Sequence, residues 1–259
     1  MNQHLSVDRD GSVAQLCFNR PDVLNAFNLE MAADFLAALQ EISKDDTLRV
    51  VCLTGAGRAF SAGGDIKAMA ALDDHPAFFR EISQLIHDAV LLIRQMAQPV
   101  LAVCPGPVSG VAFGLVTSCD LRIVSDTTTF HAGTTALGLA PNGGLTYFLP
   151  RLIGRGRAEQ LILTAAKIDA RQVLEWGLVD AVVPADALEA EVKTWCERLV
   201  KKAPAALHKF KTLLAADDHA LAAQLDRERD AISASSGTAD FREGIAAFLE
   251  KRPPKFQGN

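Results

Sequence analysis

Residues 99–119, PVLAVCPGPVSGVAFGLVTSC, contain no charged side chain. A run of that length is long enough to cross a bilayer as one helix. Pro105, Gly106, Pro107 and Gly110 interrupt it near its middle. The segment therefore reads as a buried strand (99–104), a glycine turn and a buried helix from about Val111. The chain must then bury both a strand and a helix in one apolar interior.

The flanking sequence supplies the rest of such a layered fold. HLSVDR and SVAQLCFN, joined at Asp10-Gly11, predict a β-hairpin. From Asn28 the period changes to that of a helix, with Met31, Phe35, Leu39 and Ile42 on one face and Asn28 as its cap. RVVCLTG (49–55) predicts a buried strand. Pro76 opens a helix through about Met96, with Phe79, Ile82, Ile86, Ala89 and Ile93 on its apolar side. Short strands are expected at 120–125, 128–132 and 178–184. After residue 142 nearly everything else reads as helix, including 156–165, 186–202, 204–216, 219–235 and 239–251. Strand–helix alternation followed by a helical tail predicts an α/β core with a C-terminal helical layer.

Composition narrows the partners. A net charge of −5 and a single Tyr argue against nucleic acid as the main ligand. The N-terminus lacks a signal-peptide layout, and no membrane span is expected. The cysteines, Cys17, Cys52, Cys104, Cys119 and Cys196, show no CxxC spacing and read as small core residues of a cytoplasmic protein. His4, His75, His87, His131, His208 and His219 are scattered without metal-ligand spacing. No metal or separate cofactor is expected.

Two familiar motifs fail. RVVCLTGAGRAF (49–60) begins like a dinucleotide fingerprint, but Phe60 stands where its third glycine belongs. GPVSG (106–110) places Ser109 one position late for a hydrolase elbow. Two other glycine turns remain, AFSAGGDIKAM (59–69) and PGPVSGVAFG (105–114), each between a buried strand and a helix. Backbone N–H groups left free at such turns can converge on one carbonyl oxygen as it gains negative charge. Tight turns needed only for packing give the same pattern.

NRPDVLNAFN (19–28), LTGAGRAFSAGGDIKAM (53–69), PGPVSGVAFGLVTSCDLRIVSDTTTF (105–130), LGLAPNGGLTYFLPRLIGRGRAEQLILTA (137–165), EWGLVDAVV (175–183) and FREGIAAFLEKRPPKF (241–256) occur in one order. Together they resemble the enoyl-CoA hydratase/isomerase (crotonase) family over essentially the whole chain. The resemblance implies a spiral of ββα repeats (1–200), a C-terminal helical region used in trimerisation (201–259), and a homotrimer or dimer of trimers. It implies an acyl-CoA thioester as substrate, with coenzyme A part of that substrate. The backbone N–H groups of Gly64 and Val111 would form the oxyanion hole. Val23, Leu24, Ala26, Ala62, Gly63, Asp65 and Ile66 would line the CoA groove, with Thr134 beside it and Lys255 or Arg252 near its phosphates. Val23 stands where relatives often carry a basic residue. Asp65 reads as a turn and helix-start residue rather than a catalytic one, and a solvated tail is the equal alternative for Lys255 and Arg252. Met69, Ala70 and Phe113 would give the acyl site an apolar lining.

The resemblance also exposes departures. The two glutamates that hydratases of this family use fall at Gly114 and Thr134, neither of which can act as a carboxylate base. Two-glutamate hydration is therefore not expected. A third family position, acidic in epoxide- and enoyl-isomerase branches, falls at Asn142. Its surroundings most resemble the phenylacetyl-CoA epoxide isomerase type, so isomerisation is the expected reaction. Asn142 can position a ligand but cannot titrate; a turn residue before Gly143 is the competing reading. His87, on the helix facing the acyl pocket, is a candidate replacement base, against a plain helix-flank role. His131, beside the 132–136 loop, is a weaker one. A catalytically feeble acyl-CoA-binding or assembly protein, or an acyl-CoA hydrolase or lyase, remains as an alternative.

Overall fold

The computed structural model describes residues 4–215 and 220–259. His219 and the expected helix limits at 216 and 219 lie outside them. The chain opens with the hairpin β1 (Leu5–Asp10) and β2 (Val13–Phe18), paired antiparallel from Leu5↔Phe18 to Asp10↔Val13. The loop is Gly11-Ser12, one residue later than the Asp-Gly reading, because Asp10 still pairs.

Helix α1 (Leu29–Ser43) follows, its first turn capped by the Asn28 side chain. Strand β3 (Val50–Gly55) pairs parallel with β2. A short helix α2 (Ile66–Met69) precedes the long α3 (His75–Gln95), which Asp74 caps. Next come β4 (Val100–Cys104), β5 (Val108–Ser109), α4 (Val111–Ser118), β6 (Leu121–Ser125) and β7 (Thr129–His131). The uncharged run thus becomes strand, turn, short strand and helix. Among the described residues no helix is long and apolar enough to cross a membrane.

The second half holds α5 (Leu145–Ile153), α6 (Arg155–Thr164), β8 (Lys167–Asp169), α7 (Ala170–Glu175), β9 (Ala181–Val183) and α8 (Leu188–Val200). It closes with α9 (Pro204–Ala215), α10 (Leu221–Ser236) and α11 (Ala239–Glu250). One six-stranded sheet runs β1-β2-β3-β4-β6-β9, and a three-stranded sheet runs β5-β7-β8. Beyond the hairpin every pairing in the large sheet is parallel, and its central strands are buried on both faces.

Two interiors result. The larger packs Phe18 against Phe27, Phe35 and Phe60, and gathers the inner faces of α1, α3, α4 and α5. The smaller lies on the other side of the sheet, where Val50, Cys52, Leu101 and Ile123 meet Leu188 and Cys196 of α8. Lys211 pins α9 to the body. Its buried ammonium donates to Ile93 O (3.0 Å), Gln98 O (2.9 Å) and Asp120 Oδ2 (2.6 Å). The opposite side of α9 exposes Phe210, Leu213 and Leu214.

Candidate active site

The segment NRPDVLNAFN explains its own pattern. Asn25, fully buried, accepts from Arg20 N and donates to Ala56 O and Ala59 O. The Arg20 guanidinium donates to Ala26 O and pairs with Asp65 at 2.9 Å. Backbone bonds Ala62 N to Leu24 O and Phe27 N to Gly63 O complete the seam. The loop between β2 and α1 is thereby docked onto the Ser61–Asp65 turn.

That turn meets the one before α4. Gly63 has φ +92° and Gly110 φ +54°, both in the region that disfavours a Cβ. A Cβ on Gly63 would lie 2.9 Å from Ser109 O, and one on Gly110 would lie 3.7 Å from Gly63 Cα. Glycine is needed at Gly63 for conformation and for contact. Next to this junction the N–H groups of Gly64 and Val111 find no acceptor among the described residues. Both residues line one cavity of about 840 Å³. Two unspent backbone donors on adjoining turns can hold an oxygen that gains charge.

Val23, Leu24, Ala26 and Ala62 line the cavity, as do Asp65, Ile66 and Thr134. Gly63 is absent from its wall. Asp65 reaches it with a carboxylate already spent on Arg20 and on the Ala68 N–H that starts α2. Lys255 lies apart, in a shallow depression where Glu243 accepts its backbone N–H and a two-pronged pair from Arg252. That partnership pulls the Glu243 carboxyl down to about 2. Arg252 itself borders the main cavity. Met69 lines the cavity together with Phe79, Ile82 and Ile86. Ala70 and Phe113 do not: Ala70 faces solvent, and Phe113 is fully buried against Phe130.

Gly114 and Thr134, where the resemblance leads one to expect the two family glutamates, have different surroundings. Gly114 is buried in α4, where a Cβ would stand 2.5 Å from Gly143 O and 2.7 Å from Asn142 O. The loop backbone occupies the volume a longer side chain would need. Thr134 borders the cavity, and its Oγ1 is buried with no partner among the described residues.

Asn142 is buried and lines the cavity. Its Oδ1 accepts from Gly143 N at 2.7 Å and lies 2.5 Å from His87 Nε2; its Nδ2 donates to Ser83 Oγ at 2.8 Å. His87 is not part of the cavity wall. It stands behind Asn142, and burial depresses its pKa to about 4 despite the bond to Asn142. Glu228, on α10, lies 3.9 Å from His87 Nε2. Its buried carboxylate accepts from Gly144 N (2.7 Å), Thr146 N (2.9 Å) and Thr146 Oγ1, fixing the start of α5. Burial raises the Glu228 pKa, against these bonds.

Ser83 and Glu228 are additions to the residues that sequence singled out. A signal exists for both. Ser83 lies four residues before His87 on the buried face of α3, and Glu228 lies between Leu225 and Ile232 on the buried face of α10. A polar residue inside an apolar helical stripe marks a partner across the interface. His131 borders the cavity with Nε2 3.0 Å from Ala165 O and Nδ1 3.4 Å from Ser109 Oγ. Burial lowers its pKa. Among the described residues no group of His, Cys, Asp and Glu forms a metal site.

A parallel-sheet α/β core with backbone donors at adjoining turns over a largely apolar cavity defines a class of folds able to hold a carbonyl oxygen as it gains charge. The chain belongs to the enoyl-CoA hydratase/isomerase (crotonase) family, whose model matches residues 8–259. It is 34% identical to the 1,2-epoxyphenylacetyl-CoA isomerase of Escherichia coli K12, over 95% of both chains. It is 34% identical to the crotonyl-CoA hydratase of Syntrophomonas wolfei, over 98% of both. An enoyl-CoA hydratase structure from Mycobacterium avium subsp. paratuberculosis superposes with a TM-score of 0.90 at 34% identity, covering 98% of each chain. The fold is the crotonase fold, with two sheets and C-terminal helices.

Proposed function

We propose that this chain binds an acyl-CoA thioester, stabilises its enolate, and rearranges the acyl group rather than hydrating it. The observation that carries the reading is the pair of unspent N–H donors, Gly64 and Val111, on the wall of one apolar cavity. A thioester oxygen seated between them gains its charge where fixed donors already point, an arrangement in which one donor is worth about 10²–10³ in rate. Hydration would need a group that activates water; Gly114 and Thr134 leave neither family glutamate in place. CoA would enter past Val23, Leu24 and Ala62, and the exposed apolar side of α9 supports a trimeric assembly.

Proton movement in this reading avoids carboxylates. Asp65 is paired, and Asn142 does not titrate. His131 is the imidazole on the cavity wall, whereas His87 acts through Asn142 as a positioning residue. A second reading has one observation in its favour: of the two carboxylates on the described wall, Asp65 is spent on Arg20 and Asp22 is exposed beside Val23, away from the apolar end. In it the electron pair comes from a breaking Cα–C bond, as when a thioester with a carboxylate on its α-carbon loses CO2 and leaves the enolate.

The test is incubation in deuterated water with 2-enoyl-, 3-enoyl-, ring-bearing and α-carboxy (malonyl-type) acyl-CoAs, read by mass spectrometry. Rearrangement predicts deuterium uptake with a shifted double bond and no added water. Addition of water to a 2-enoyl-CoA overturns the reading. CO2 release from the α-carboxy thioester, with one solvent deuterium in its product and no exchange into the other thioesters, selects the second.

A further inference from the structure

The hydrogen-bonding capacity of Asn142 is almost entirely committed, and what remains has one sign. An amide oxygen has two lone pairs and an amide nitrogen two protons. Gly143 N–H can only donate, so the atom 2.7 Å from it is the oxygen, which fixes which way the amide faces. His87 Nε2, 2.5 Å from that same oxygen, must then carry the ring proton and donate it. Both lone pairs of Oδ1 are used. On the nitrogen, one proton goes to Ser83 Oγ at 2.8 Å. The other has no acceptor among the described residues. The backbone carbonyl of Asn142 faces Gly114 rather than the cavity.

Resting on the acyl-CoA reading above, we infer that Asn142 presents a single N–H donor to the acyl part of the cavity. The substrate is therefore an acyl thioester carrying an oxygen acceptor on its acyl chain: a hydroxyl, a carbonyl or a carboxylate. The surrounding wall is apolar, with Met69, Phe79, Ile82, Ile86 and Leu139. A purely hydrocarbon acyl group would leave the N–H unpaired in that wall, a costly arrangement. An acceptor oxygen removes the cost and fixes the orientation of the chain. His87 and Ser83 serve as positioning residues because they prevent the amide from turning its oxygen to the ligand.

The experiment measures dissociation constants of butyryl-CoA and of 3-hydroxybutyryl-, acetoacetyl- and 4-hydroxybutyryl-CoA by calorimetry. Wild type and Asn142→Asp are compared. The aspartate keeps the shape and the acceptor for Gly143, but it has no proton to give. Wild type is expected to bind at least one oxygenated thioester about tenfold tighter than butyryl-CoA, and Asn142→Asp to lose that preference. Equal binding of all four by wild type overturns the inference while leaving acyl-CoA binding intact, and so does a preference that survives in Asn142→Asp. Wild type that binds none of the four overturns the acyl-CoA reading itself. The wild-type comparison stands whether or not the variant folds.

Discussion

His87 Nε2 lies 2.5 Å from Asn142 Oδ1, joining the middle of α3 to the loop that precedes α5. Across 55 residues of sequence the two side chains form one unit, closed by Ser83 beneath and Glu228 beside it. An imidazole is thereby placed one residue's depth behind the cavity, where it orients an amide.

Replacing that amide by an acid places a titratable group on the wall. Asn142→Asp is expected to raise deuterium exchange into 3-enoyl-CoA by about 10²–10⁴, the range a positioned base supplies. The readout is isotope incorporation per minute at fixed enzyme. An exchange rate equal to wild type would remove Asn142 from the reacting end of the cavity.

A glutamate at position 114 is expected to fail structurally. Gly114→Glu, and even Gly114→Ala, forces a Cβ against Gly143 O and Asn142 O. Overpacking of this kind costs about 1–3 kcal/mol for small additions and more for a buried charge. Urea unfolding should show a lower midpoint for Ala and a larger loss for Glu, with no hydration of 2-enoyl-CoA by either.

Stability should follow the protonation of His87 in acid. Unfolded, the ring takes its proton near pH 6.5; folded, burial delays it to about pH 4. The contribution is whole above pH 6.5 and is lost as pH falls towards 4, amounting to about 3 kcal/mol. Burial of Glu228 acts in the opposite sense, since its raised pKa lets the folded chain hold a proton earlier. Arg229, Asp88 and Asp226 also act on the ring. The difference between wild type and His87→Gln isolates the imidazole. Unfolding titrations from pH 7.5 to 4 should show a shallower decline in the variant.

Lys211→Met tests the attachment of α9. It leaves Ile93 O and Gln98 O without their donor and removes one partner of Asp120, which Arg94 still approaches at 3.7 Å. Breaking a buried pair on one side costs about 3–5 kcal/mol. The melting temperature should drop by about 10 °C.

Much of this architecture is written in local pattern. The hairpin, α1, α3, β3, β4 and the helical second half follow from period and caps: Asn28, Asp74 and Asp169 each accept a first-turn N–H. Of the small sheet only β7, inside the strand expected at 128–132, is legible that way. β5 and β8 span two and three residues, too short for any alternation to register. The donors at Gly64 and Val111 fall where the glycine turns place them, because a turn of that kind frees backbone N–H groups whatever the side chains. The Ser83–His87–Asn142–Glu228 cluster is legible only in part. Each member sits alone in its own segment, and long-range packing of α3 on α10 brings them together. Ala70 and Phe113 show the converse limit: apolar character does not say which side of a helix meets a cavity.

The close fit of Gly114 against the Asn142-Gly143 backbone also bears on descent. A chain with this packing cannot seat a glutamate at position 114 by one codon change, because the loop must first retreat. The loop cannot retreat without giving up Asn142, its histidine and its serine together. A single substitution at position 114 is thus barred by backbone geometry, whatever selection favours there.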